Sequence, residues 1–174
     1  PKLVSKTNLN TEAKPRVAQQ VVIGEEHLMI LMTDKTVWVA GKNSRGQLGV
    51  GESGIVPSGK VILLNDLIKR GIKVKQIATA GYTSFILDEI GNVYSCGANN
   101  AFQTGLSNNE PGQTQTNDVK EFTKVDVTQE DRTHVRFTQI AMGNTHTMLL
   151  TEDGQVYICG TGNEGQLGLG LGLL

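Results

Sequence analysis

Residues 160–165, Gly-Thr-Gly-Asn-Glu-Gly, follow the apolar run Val156-Tyr-Ile-Cys159 and match G-x-G-x-x-G. In a dinucleotide fold such glycines turn the chain tightly and let a pyrophosphate approach the start of a helix. That chemistry needs a helix next, and Gln166-Leu-Gly-Leu-Gly-Leu-Gly is a poor helix opening. Two histidines, His27 beside Glu25-Glu26 and His146 beside Thr147, could carry a metal or acid/base chemistry. Cys96 and Cys159 could be thiolate ligands, and Asp34, Asp88 and Asp153 form a carboxylate series. No G-x-S-x-G, H-E-x-x-H or Walker sequence accompanies them.

These residues share one property, which is periodicity. Three ungapped blocks align: VVIGEEHLMILMTDKTVWVAGKNSRGQLG (21–49), IATAGYTSFILDEIGNVYSCGANNAFQTG (77–105) and IAMGNTHTMLLTEDGQVYICGTGNEGQLG (140–168). Each carries Val at one offset (Val37, Val93, Val156) and then an aromatic (Trp38, Tyr94, Tyr157). Each goes on to Gly41, Gly97 or Gly160 and closes on Gly49, Gly105 or Gly168. The sites of Gly162 and Gly165 hold Asn99 and Phe102 in the second block and Asn43 and Gly46 in the first. The glycine motif is thus a variant of a repeat turn, and the phosphate reading falls with it.

Repetition settles the other candidates too. Metal ligands must converge within about 2.1 Å of one ion. His27 and His146 recur in separate units, so the sequence predicts structural histidines that hydrogen-bond inside their own unit. Cys96 and Cys159 share an offset without a C-x-x-C or a Cys/His cluster, which marks small buried hydrophobes. Asp153-Gly154 is a hairpin turn pair, and Asp34 and Asp88 fall in comparable turns. No cofactor and no enzyme activity are expected.

The elements that position these residues read as strands. His146-Thr-Met-Leu-Leu-Thr and Gln155-Val-Tyr-Ile-Cys are short β-prone runs around a turn, and both other blocks repeat them. Arg16–Val22, Ile72–Ala78 and His134–Ala141 add an entering strand each. The spacers, 50–76 and 106–139, can supply a fourth: Val119–Val125 in one, and Val61–Ile68 in the other as strand or short helix. Three or four antiparallel strands per unit of about sixty residues describe a propeller blade better than a sandwich.

The 174 residues carry 16 Lys plus Arg against 17 Asp plus Glu, a net charge of −1 that gives no support to direct nucleic-acid binding. No apolar run approaches the roughly 18 residues of a membrane span, and an intracellular setting, cytoplasm or nucleus, is expected.

On these residues the chain resembles the regulator of chromosome condensation repeat family. Its pattern, I-A-x-G-x-x-H-T-x-x-L-T-x-D-G-x-V-Y-x-W-G-x-N-x-x-G-Q-L-G, is followed closely by block three. Block two departs most, with Ala80 at the Gly site, Thr83 at the His site, and Phe102 and Thr104 in the closing loop. The family's Trp before the strand-ending Gly is replaced by Ala40, Cys96 and Cys159. The resemblance implies an all-β propeller, with residues 1–174 forming three blades of a seven-bladed ring. The other blades would come from the same polypeptide or from further subunits. It implies a protein–protein interaction or scaffold module, or alternatively a guanine-nucleotide exchange factor for a small Ran-like GTPase. Gly24, His27, Gly41, Gly49, Gly97, Gly105, Gly143, His146, Gly160 and Gly168 are the expected structural positions. Arg45, Phe102, Asn108, Glu110 and Glu164, on closing loops and in the polar spacer 107–118, are the candidate contacts for a protein partner.

Overall fold

The computed structural model describes residues 16–51, 59–106, 117–127 and 134–168. The described strands form three antiparallel sheets in chain order. Blade 1 holds β1 (Ala18–Ile23), β2 (His27–Met32), β3 (Val37–Gly41) and β4 (Ile62–Leu63). Blade 2 holds β5 (Val74–Ala80), β6 (Thr83–Asp88), β7 (Val93–Gly97) and β8 (Val119–Val125). Blade 3 shows β9 (Phe137–Met142), β10 (His146–Thr151) and β11 (Val156–Gly160). The ambiguous spacer run resolves into both alternatives, since β4 is followed at once by a short helix, α1 (Asn65–Lys69). Among the described residues no helix follows Gly165, and Gly168 N–H instead bonds back to the Gly165 carbonyl.

The blades are copies in register as well as in sequence. His27 faces Gly41, Thr83 faces Gly97 and His146 faces Gly160 at the same rung. Strands β1 and β5 each shift register at one matching place, Ala18/Gln20 and Val74/Gln76. Gly41, Gly97 and Gly160 have φ of +112°, +105° and +108°, a region that side chains rarely enter. A Cβ there would also run into the backbone of the preceding turn: Glu26–His27, Tyr82–Thr83 or Thr145–His146.

A blade is apolar on both faces and must bury both against neighbours. In blade 2 every residue of β6 and β7 is buried. One core lies between blades 1 and 2, from Met29, Leu31, Val39 and Leu48 to Ile77, Ile86 and Phe122. A second lies between blades 2 and 3, joining Phe85, Leu87 and Val93 to Phe137, Ile140 and Leu149. The sheets meet through their first strands, with β5 between β1 and β9. The outer faces lie open: Val156 of blade 3 is 52% exposed and Val21 of blade 1 is 56% exposed, whereas their blade 2 counterparts, Val93 and Ile77, are 0% exposed.

Candidate interaction surface and the seams beneath it

Each block closes with a loop held by its own glutamine. The Gln47, Gln103 and Gln166 side-chain oxygens accept the backbone N–H of Arg45, Ala101 and Glu164, all at 2.8 Å. The next residue is left-handed in every copy: Gly46 at φ +80°, Phe102 at +58° and Gly165 at +78°. Two of the three use the residue suited to that conformation. Phe102 does not, and the residue is 44% exposed. Arg45 is engaged across the seam, giving Nε and Nη2 to Asp118 at 2.5 and 2.7 Å and Nη2 to Asn100 at 3.3 Å. Glu164 is exposed. Asn108 and Glu110 lie outside the described residues.

Below the loops, the glutamine main chain enters the next blade. The Gln47 carbonyl accepts Ser84 Oγ at 2.7 Å and Cys96 Sγ at 3.6 Å. The Gln103 carbonyl accepts Thr147 Oγ1 at 2.9 Å and Cys159 Sγ at 3.6 Å. Burial pushes the Cys96 thiol well up and the Cys159 thiol to about 11. Both therefore stay protonated and act as weak donors rather than nucleophiles. Their offset positions were legible in the sequence; their shared acceptor was not.

His27 also crosses the seam. Its Nε2 lies 2.8 Å from Ser84 Oγ in blade 2, not within its own blade as the sequence predicts. Ser84 has one proton, already given to the Gln47 carbonyl, so Nε2 must carry the imidazole hydrogen and donate to Ser84. Nδ1 is then bare, and it is buried with no partner among the described residues. Protonating it would bury an N–H with no acceptor, and burial holds the pKa of His27 down at about 4. Gly24 makes room for this ring, as Gly143 does for His146, because a Cβ at either would collide with the imidazole.

The first strands carry a contact that the block alignment excluded by one residue. Gln20 Nε2 donates to the Ile77 carbonyl at 2.8 Å, and its Oε1 accepts Ile77 N–H at 3.0 Å. Gln76 does the same to Ile140, at 2.9 and 3.1 Å. Among the described residues no three His, Cys, Asp or Glu side chains converge as a metal site. No helix among them is long and apolar enough to cross a membrane.

Profiles of the regulator of chromosome condensation (RCC1) repeat match residues 18–47 and 137–166, and residues 91–150. The chain belongs to the regulator of chromosome condensation repeat family. Its relatives are propellers. The solved structure of human WBSCR16 superposes with a TM-score of 0.71 at 28% identity, over 90% of this chain and 37% of that one. Yeast RCC1 (Prp20), solved bound to Kap60, superposes with a TM-score of 0.70 at 26% identity, over 89% of this chain and 34% of that one. In sequence, the human probable E3 ubiquitin-protein ligase HERC3 is 34% identical over 97% of this chain. The chain spans only 14% of that relative's length, and the likeness is one of repeats. The family's interacting members make a scaffold role compatible with this chain.

Proposed function

We propose that this chain is a protein–protein interaction module whose contact surface is the closing-loop face, with Phe102 as its anchor. Phe102 carries the reading. A bulky residue held at φ +58° costs about 1–2 kcal/mol against glycine at the same turn. An exposed ring gains nothing from burial to offset that cost, unless a partner covers it. Aromatic side chains, Phe among them, are enriched at the cores of protein interfaces.

Coverage by the third blade's own outer strand is disfavoured by geometry. At Gly46 a Cβ would lie 2.7 Å from Lys120 Cα and 2.7 Å from the Val119 carbonyl, because β8 passes directly over that turn. Phe102 has a Cβ in this direction, so an outer strand following the path of β8 would collide with it. Arg45, Asp118 and Asn100 form a fixed polar flank nearby. In this reading the chain acts inside the cell and the remaining blades come from the same polypeptide or another subunit. The solved complex of yeast RCC1 with Kap60 supports a protein as the class of partner.

The test is Phe102→Gly, which restores the residue of the sister loops. Wild-type and variant chains are immobilised, exposed to cell extract and compared by quantitative mass spectrometry. Small GTPases loaded with fluorescent GDP are assayed alongside. Partners retained by wild type and lost by a variant that melts no lower support the reading. GDP release accelerated by wild type alone would assign nucleotide exchange. An unchanged set of partners would refute Phe102 as the anchor.

A further inference from the structure

The turn between β6 and β7 differs from its two sisters in what it shows to solvent. Its tip is Ile90, 66% exposed, where the sister turns hold Asp34 and Asp153. Those aspartates serve their own turns: Asp34 accepts Thr36 N–H at 3.1 Å, and Asp153 accepts the Gln155 side-chain amide at 2.9 Å. In blade 2 the carboxylate has moved two residues back to Asp88, which accepts the N–H of Ile90 at 3.0 Å and of Asn92 at 2.8 Å. Position 90 is thereby released from turn chemistry and carries an apolar side chain outward. From the other side Arg136 of blade 3 gives Nη1 to the Ile90 carbonyl at 3.0 Å, so the tip is braced on both flanks. Blade 2 has both of its neighbours in place, and the exposure of Ile90 does not come from an unpaired sheet face.

Cations without partners surround this tip. The segment 69–75 carries Lys69, Arg70, Lys73 and Lys75. Arg70 is occupied, bonding Asp66 at 3.1 Å and the Phe122 carbonyl at 2.8 Å. The three lysines are exposed and make no ion pair among the described residues. The Lys73 carbonyl accepts Glu89 N–H at 2.9 Å, which seats that lysine against the residue preceding Ile90. Lys75 occupies the register shift of β5, where a bulge leaves one residue out of the ladder. Lys69 ends α1, whose Ile68 is 48% exposed. The Ile72 N–H bond to the Leu67 carbonyl ties that helix to the same strand entry.

We propose that this underside is a second docking surface, taking an acidic segment of a partner protein whose apolar side chains pack on Ile90 while its carboxylates meet Lys69, Lys73 and Lys75. The surface lies at the opposite end of β7 from the closing loop, about 16 Å of strand away, and is independent of Phe102. The unpaired lysines set the sign of the partner, and what lies between them sets its class. Asp66 and Glu89 stand among the cations, so the pattern is mixed in sign. A lipid headgroup layer or a phosphate backbone presents uniform negative charge and would meet these carboxylates along with the lysines. A peptide places each carboxylate singly and can leave Asp66 and Glu89 to solvent. Single-stranded nucleic acid would also need an aromatic platform, and Tyr94 is buried beneath Arg70.

A phage-displayed library of random peptides is panned on the immobilised chain, and the recovered peptides are synthesised with a fluorophore for anisotropy titration. The expected peptides combine Asp or Glu with Leu, Ile or Phe. Their affinity should fall by about tenfold or more on Lys73→Glu with Lys75→Glu, because each reversal exchanges an attraction for a repulsion. It should fall by about tenfold on Ile90→Asp, which installs the sister residue, and on the uncharged Ile90→Ser. Thermal melting confirms that the variants fold. Phe102→Gly should leave these titrations unchanged, so failure here and failure of the closing-loop reading are told apart. Recovered peptides without an acidic excess, or titrations unmoved by the variants at residues 73, 75 and 90, would overturn the proposal. So would lysine-dependent capture of vesicles of phosphatidylcholine with phosphatidylserine, or of a DNA duplex, that is tighter than capture of any recovered peptide.

Discussion

Acidification from pH 7.5 to 5.0 should loosen the seam between blades 1 and 2 through His27. The residue is 4% exposed, and its ring gives its one hydrogen to Ser84 and keeps a bare Nδ1. In the unfolded chain the group titrates near 6.5; in the folded chain it does so at about 4. Between those values the unfolded state binds more protons, so stability rises with pH and is lost as pH falls through 6.5 toward 4. The full displacement corresponds to about 3 kcal/mol, of which about 2 kcal/mol is spent at pH 5 and under 1 kcal/mol at pH 6. Urea unfolding at pH 7.5 and 5.0 measures this, with His27→Gln as the control. Glutamine can still donate to Ser84 but does not titrate, while every other ionisable group is common to both proteins. Wild type should lose about 2 kcal/mol more than the variant on going to pH 5. Equal losses, within about 0.5 kcal/mol, would mean that the imidazole is not held neutral by this seam and that its tautomer is assigned wrongly.

Two further outcomes follow from backbone positions. Gly97→Ala places a Cβ at φ +105° against the Tyr82 carbonyl, and should lower stability by about 1–3 kcal/mol in thermal melts; an unchanged melting temperature would show that the turn can relax. Gln76→Ala removes both hydrogen bonds to the Ile140 peptide and should cost about 1–3 kcal/mol, with hydrogen exchange at the Ile140 amide rising before that of neighbouring β9 amides.

The sheets were legible because their signal is local and repeated. Val93-Tyr94 and Val156-Tyr157 alternate as strands, and Gly154 closes a turn that any reader of Asp-Gly would expect. The seams were illegible for the opposite reason. Gln20, Gln76 and Gln139 share an offset, yet nothing in an exposed-looking glutamine shows that it will grip a peptide in the next blade. The hydroxyl position reads Leu28, Ser84, Thr147, which looks like drift until the carbonyl opposite is seen. His27 was readable as structural, but its partner lies 57 residues away, across a seam that sequence spacing does not encode. Arg45 illustrates the same limit, since its partner Asp118 sits in a spacer with no repeat pattern at all.

Each blade turns a different set of groups to its successor than to its predecessor, a side-chain amide and a loop carbonyl on one side and a strand peptide, a hydroxyl and a thiol on the other, and that polarity restricts symmetry. A two-fold axis brings a surface onto itself. Pairing blade 3 with blade 3 would set Gln139 against Gln139 and one Gln166 carbonyl against another, while pairing blade 1 with blade 1 would set Val21 peptides together with no side-chain amide between them. Blade faces of this kind therefore join only head to tail, with each blade's loop entering its successor. Head-to-tail contacts either close into a ring or run on as a filament. Which of the two happens is decided by the turn angle per blade, so the twist that each seam imposes sets the topology of what is built.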